Sequence, residues 1–234
     1  MDNNKLHKRI NLVRRDLGNL LFHFTKTPGK IIEIEKERSK QILSDSPLSV
    51  LEKILSDGFL FGSSKNIRGG HECICFTESP ISEIVSLFSL ISIAESKDQK
   101  TRYEPYGIAV TKDWFYSQGG RPVLYQPERE YHLLPEELQY KPVKFEPDKG
   151  VDFTWEREWR INAGKLFLDP KETLVVVPDA DTAFDLAYQN AEVELDYDRD
   201  PVPQGAYHVA KWMTVSLDLF GFNLLKNDKK QHFT

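Results

Sequence analysis

Helix-forming stretches crowd the first half of this chain and strand-forming stretches the second. That segregation excludes more folds than any other feature. A steady alternation of strand and helix would mark a parallel, doubly wound sheet, whereas separated runs mark the α+β class. Hydrophobic periodicity gives about seven strands and four helices. "LLFHFT" (20–25) reads as a buried strand. The clearest helix follows at 46–58, with Ser46 as N-cap, Pro47 in the first helical position, Leu48, Leu51, Ile54 and Leu55 on one stripe, and Gly58 as the stop. Strands are expected at 72–77, 106–111, 121–126, 155–162, 172–178 and near 207–217. Helices are expected from Ser79, over the short stretch from Lys112 to the glycines at 119–120, and within 179–190. The basic stretch 7–20 reads as a short helix or arm, the charged stretch 31–43 as an exposed helix, 127–152 as an irregular surface insertion, and 226–234 as a frayed tail. Without a visible linker, residues 1–234 read as a single domain.

Composition narrows the function classes. The net charge of −5 and a pI near 5.7 do not give the broad basic footprint of a dedicated nucleic-acid binder. Cys73 and Cys75 are the only cysteines, and such close neighbours on a strand do not suit a disulfide. Reduced thiols and a cytoplasmic location are expected. The opening "MDNNKLHKRI" has no apolar core of a signal peptide, and the apolar run 84–94 is too short to span a bilayer.

The chemistry concentrates in "WEREWRIN" (155–162). Read as a strand, it places Trp155, Arg157, Trp159 and Ile161 on one face and Glu156, Glu158, Arg160 and Asn162 on the other. Two carboxylates beside a guanidinium suit stabilisation of a sugar cation or activation of a hydroxyl, and equally suit a solvated ion-pair network. His23, between aromatic neighbours, is either a hydrogen-bonded core residue or a donor to a ribose hydroxyl or diphosphate; Thr25 shares its face. Arg68, before the glycines of "NIRGG", suits an anionic ligand or an ordinary loop. His71, Cys73 and Cys75 in "HECIC" lack the spacing and fourth ligand of a structural zinc site, so buried cysteines are expected and no metal.

In order, "LFHFT", "LEKILSDGFL", "CICFTESPIS", "YGIAVTKDWFYSQGGRPVLY" and "EREWR" resemble the AbiGi-type abortive phage-infection family of bacteria, over most of residues 20–162. More distantly, His23 to Thr25, Ile54 to Gly58, Pro122 to Tyr125 and Glu156 to Trp159 resemble the ADP-ribosyltransferase fold of DarT-type toxins. That resemblance implies an ADP-ribosyltransferase-like domain with mixed, mostly antiparallel sheets and helices gathered in the amino-terminal half. It implies a mono-ADP-ribosyltransferase that uses NAD as substrate. Glu158 would then stabilise the ribosyl cation, Glu156 would orient or deprotonate the acceptor, and His23 would hold NAD. Thr25 and Arg68 would join His23 in the cofactor site, with Arg68 on the diphosphate, and Tyr106 would stack on nicotinamide. The acceptor would be a nucleic-acid base, or else a protein side chain or water, in a conflict between bacterium and phage. Two other readings stay open at this point: a non-catalytic antitoxin or phage-sensing module that grips a toxin or phage protein, and a metal-dependent nuclease using Glu156, Glu158 and His23.

Overall fold

The computed structural model describes residues 18–25, 46–93, 103–189, 191–196 and 205–222. The basic arm up to residue 17, the charged stretch 31–43 and the tail 226–234 lie outside the described residues. No helix among the described residues is long and apolar enough to cross a membrane.

Helix α1 (Pro47–Asp57) forms where its local signals converge. The Ser46 hydroxyl accepts from the Ser49 N–H at 3.3 Å, and Gly58, at φ 71°, closes the helix by donating its N–H to the Ile54 carbonyl at 2.8 Å. Leu51 and Leu55 are buried. Three further helices follow: α2 (Ile81–Ile93), α3 (Lys112–Ser117) and α4 (Ala180–Gln189). The strands are β1 (Leu20–Phe24), β2 (Phe59–Phe61), β3 (Cys73–Thr77), β4 (Gly107–Thr111), β5 (Arg121–Pro122), β6 (Leu124–Gln126), β7 (Pro142–Lys144), β8 (Glu158–Asn162), β9 (Lys165–Phe167), β10 (Thr173–Val177), β11 (Ala191–Asp196), β12 (Gly205–Ala210) and β13 (Met213–Ser216).

Seven strands make the main sheet, in the order β13-β10-β4-β1-β3-β8-β5. Every pairing in it is antiparallel except β10 with β13. Three two-stranded sheets accompany it: β11 with β12, β2 with β9 and, in parallel, β6 with β7. The protein is therefore α+β with mixed, mostly antiparallel sheets, and three of its four described helices precede residue 118.

Period-two burial explains how both sheet faces are covered. Leu21, Ile74, Phe76, Ile108, Val110, Ile161, Val175 and Val177 join Leu51 and Leu55 of α1, Phe115 of α3 and Leu186 of α4 in one core. Phe22, Phe24, Ala109 and Val176 join Ile84, Val85 and Phe88 of α2 in a second core.

The sheet is not continuous at its centre. β1 pairs with β4 along its whole length, but it meets β3 only at Phe22 opposite Thr77. Beyond that bridge the ladder stops, and the His23 side chain takes the place of a backbone donor by bonding the Cys75 carbonyl. A sheet interrupted in this way can form a cleft between two of its own strands.

Gly107 keeps the other side of β1 tight. A Cβ there would lie 2.3 Å from the His23 carbonyl oxygen and 2.9 Å from the Phe24 Cα, both backbone atoms. Gly107→Ala is expected to destabilise the fold by about 1–3 kcal/mol, the usual cost of overpacking. Urea denaturation checks this, with a lowered midpoint as the expected result.

Two sequence-based expectations need correction. Residues 155–157 are not strand: Thr154–Glu156 is a 3-10 turn, Arg157 has φ 44°, and β8 starts at Glu158. The cause is distant in sequence. The Ser79 and Thr77 hydroxyls donate to the Trp155 and Glu156 carbonyls, and the Glu78 N–H donates to the Arg157 carbonyl at 3.2 Å. Nor is 127–152 merely a surface excursion. It carries short 3-10 turns, supplies β7 to pair with β6, buries Tyr140, and walls the cleft.

Candidate functional site

A cavity of about 990 Å³ occupies the break between β1 and β3. Its floor carries His23, Cys75, Glu156, Glu158 and Arg160, and Arg68, Glu128 and Lys144 also line it. Thr25 and Tyr103 complete its polar wall. Five of the six residues expected at the site, His23, Thr25, Arg68, Glu156 and Glu158, thus share one cavity. Tyr106 does not. It packs against the core of Leu21 and Ile108, and its backbone carbonyl accepts from Thr25. Stacking of Tyr106 on a nicotinamide in this cavity is therefore dropped.

His23 lies on β1, with its ring 5.4 Å from that of Phe76. Its Nδ1 is 2.8 Å from the Cys75 carbonyl, an acceptor, so Nδ1 carries the proton and Nε2 is left as an acceptor. Burial lowers its pKa below the usual 6.5, against the opposing pull of the Cys75 hydrogen bond. A neutral imidazole of this tautomer accepts from a hydroxyl; it does not neutralise a phosphate.

The lowered pKa has a consequence for stability. Just below pH 6.5 the unfolded chain takes up a proton at this histidine that the folded chain resists. Stability is then full above pH 6.5 and is lost as pH falls through that value toward the folded pKa. His23→Gln is expected to flatten this part of the profile, and melting temperatures of both proteins between pH 5 and 7.5 check it.

Thr25 is buried, and its hydroxyl lies 3.0 Å from both the Pro47 and the Tyr106 carbonyls. Its single proton is shared between them, so Thr25 ties the end of β1 to the start of α1 and has only lone pairs to offer a ligand.

The alternation expected for the "WEREWRIN" stretch holds from Glu158 onward. Trp159 and Ile161 pack into the core, and Glu158 and Arg160 line the cavity. Trp155, placed on that face by the strand reading, lies in the preceding turn and is 46% exposed. Arg160 is only 6% exposed. It grips Glu158 with both arms of a fork, Nε to Oε1 at 2.7 Å and the second terminal nitrogen to Oε2 at 3.0 Å. Its remaining terminal nitrogen donates to the carbonyls of Tyr140 at 2.7 Å and Pro142 at 3.3 Å. Burial works against this charge, but the hydrogen bonds and charge of Glu158 outweigh it and raise the Arg160 pKa.

Glu156, 3% exposed, reaches the cavity from the turn and accepts from the Tyr103 hydroxyl at 3.1 Å. Burial pushes the Cys73 thiol up to about 11. Cys75 is pushed further, by burial and by the charge of Glu158, to which it is also hydrogen-bonded. Both thiols are therefore protonated at neutral pH. His71 meets Asn162 and the Glu136 carbonyl instead of the cysteines. Among the described residues no three His, Cys, Asp or Glu side chains are grouped to hold a metal ion.

Arg68 lies in a turn (Arg68–Gly70) whose glycines both have φ 71°. Its guanidinium pairs with Glu128 and sits 4.7 Å over the Tyr131 ring. Sequence reasoning missed Tyr103, which sits in a polar connector, and missed the part played by 127–152. A lone tyrosine just before β4 was the only available signal for the first.

Fold and site together define an α+β protein with, among its described residues, a large cavity lined by Glu156 and Glu158 where its main sheet divides. Comparison with protein-family models, with curated proteins and with solved structures finds no match for this chain.

Proposed function

We propose that the chain is a mono-ADP-ribosyltransferase that moves ADP-ribose from NAD to a macromolecular acceptor in bacterial or phage conflict. The observation that carries this reading is the joint presence of neutral His23 and the carboxylates Glu156 and Glu158 in one cleft of about 990 Å³. That volume is at the upper end for small-molecule sites, which suits a dinucleotide.

In the proposed reaction His23 Nε2 accepts from a ribose hydroxyl of NAD. The bond between nicotinamide and the ribose C1′ breaks, nicotinamide leaves neutral with the bonding pair, and positive charge develops at the ribose. Glu158 lies ready to meet that charge, since preorganised negative groups act strongly where water is excluded. The Arg160 fork fixes the orientation of Glu158. The remaining terminal nitrogen of Arg160 donates to the carbonyls of Tyr140 and Pro142, which fixes the guanidinium in turn. Glu156 orients the acceptor and takes its proton as the new bond to C1′ forms. A nucleic-acid base is the preferred acceptor on the resemblance stated above, with a protein side chain next; water in its place makes the reaction NAD hydrolysis.

The test is incubation with labelled NAD and separate samples of RNA, DNA and cell lysate, beside Glu158→Gln. Label transfer by the wild type and not by the variant is expected. Equal transfer by both would remove Glu158 from its role.

One observation favours a second reading, a non-catalytic antitoxin or phage-sensing module. Both oxygens of Glu158 are already engaged by Arg160, as in a purely structural clamp. Under that reading Glu158→Gln leaves cellular protection or toxicity unchanged. No observation favours the nuclease.

A further inference from the structure

Arg68 and Glu128 form an ion pair at the cavity wall, each contributed by a different segment. Arg68 comes from the loop between β2 and β3; Glu128 and Tyr131 come from the 127–152 segment. Both charged side chains line the cavity and both are part-exposed, 44% and 37%. An ion pair so open to water is weak. Arg68 is also held by the face of Tyr131, an arrangement that keeps a guanidinium oriented without consuming its hydrogen-bond donors. Beside it, Gly69 and Gly70 both occupy the left-handed region, where a chain turns with little steric cost. Lys65 and Lys144 line the same cavity.

These are the parts of an anion subsite whose present occupant is a side chain of the protein itself. We infer that Glu128 is a resident carboxylate held by Arg68, and that a diphosphate entering the cavity displaces it. The Glu128–Arg68 contact is then a latch. It occupies the anion subsite when no ligand is bound and yields to an anion that offers the guanidinium more oxygens. Tyr131 keeps Arg68 aimed during the exchange. The inference deepens the reading given above, in that the diphosphate would be that of NAD, but the latch itself requires only the anion.

The experiment titrates inorganic pyrophosphate, ADP-ribose and NAD into the wild type, Glu128→Gln and Arg68→Gln by calorimetry, after matched melting temperatures establish that all three are folded. Glu128→Gln removes the competing charge and is expected to bind pyrophosphate and ADP-ribose roughly two- to five-fold more tightly, the range set by an exposed ion pair. Arg68→Gln is expected to weaken both by about ten-fold or more, as loss of hydrogen bonds to a charged group does. Hydrogen exchange over residues 64–71 and 127–133 in the ligand-free protein is expected to rise in Glu128→Gln. Equal or weaker anion binding by Glu128→Gln, unchanged binding by Arg68→Gln, or no pyrophosphate binding by any of the three would overturn the latch. NAD cleavage with anion affinities unmoved by Glu128→Gln would keep the transferase and sink the latch. The expected affinities without NAD cleavage would keep the latch and sink the transferase.

Discussion

Glu158→Gln is expected to lower NAD cleavage by about 10²–10³-fold, the loss typical when one preorganised electrostatic partner of a transition state is removed. The amide keeps the shape of the carboxylate and still offers one oxygen to Arg160, but it no longer presents charge to a ribosyl cation. Glu156→Gln is expected to behave differently. Its amide oxygen can still accept from the Tyr103 hydroxyl, so the turn should survive. What it loses is the ability to take the acceptor's proton. Glu156→Gln should therefore lose transfer to a macromolecule while retaining much of the cleavage of NAD by water. Parallel measurement of released nicotinamide and of label on the acceptor separates the two roles. Loss of both signals in Glu156→Gln would show that the division between the carboxylates is wrong.

Arg160→Met is expected to cost about 3–5 kcal/mol of stability, because it leaves a largely buried carboxylate without its cation. It also removes the donor from the Tyr140 and Pro142 carbonyls, which anchor the 127–152 wall to β8. A melting temperature lower by on the order of 10 °C follows for a chain of this size. The double variant Glu158→Leu, Arg160→Met removes both charges, and it should recover a large share of that loss, since apolar replacement of a whole buried pair is often close to neutral. A double variant as unstable as Arg160→Met would mean that the lost stability lies in the carbonyl contacts and not in the fork. The same experiment guards the first prediction. If Glu158→Gln unfolds part of the sample, the lost turnover must be corrected for the folded fraction.

What could be read from the sequence was local. α1 was legible because its cap, its leucine stripe and its terminal glycine all lie between Ser46 and Gly58. The faces of Glu158, Arg160, Trp159 and Ile161 were legible because a strand imposes period two. The start of that strand was not, because the turn at 154–157 is imposed by Thr77, Glu78 and Ser79 from another strand's end. Tyr106 shows the converse. Its position just before β4, two residues ahead of Ile108, puts it on the core side, which period two implies and the resemblance does not. The 127–152 wall lay beyond reach for a third reason. Its 3-10 turns follow no hydrophobic period, and what ties it to β8 is the Arg160 nitrogen that donates to the Tyr140 and Pro142 carbonyls. His23 was half legible: its strand was plain, but the tautomer depends on the Cys75 carbonyl, presented only because β1 and β3 part.

The proposed reaction requires a dinucleotide to lie between His23 and the two carboxylates. A crystal structure of Glu158→Gln soaked with NAD tests it most directly. The expected density has the nicotinamide ribose beside His23, residue 158 and Glu156, with the diphosphate against Arg68 and Glu128 turned away from it. A cleft still empty at saturating NAD, or a dinucleotide bound elsewhere on the protein, would contradict it.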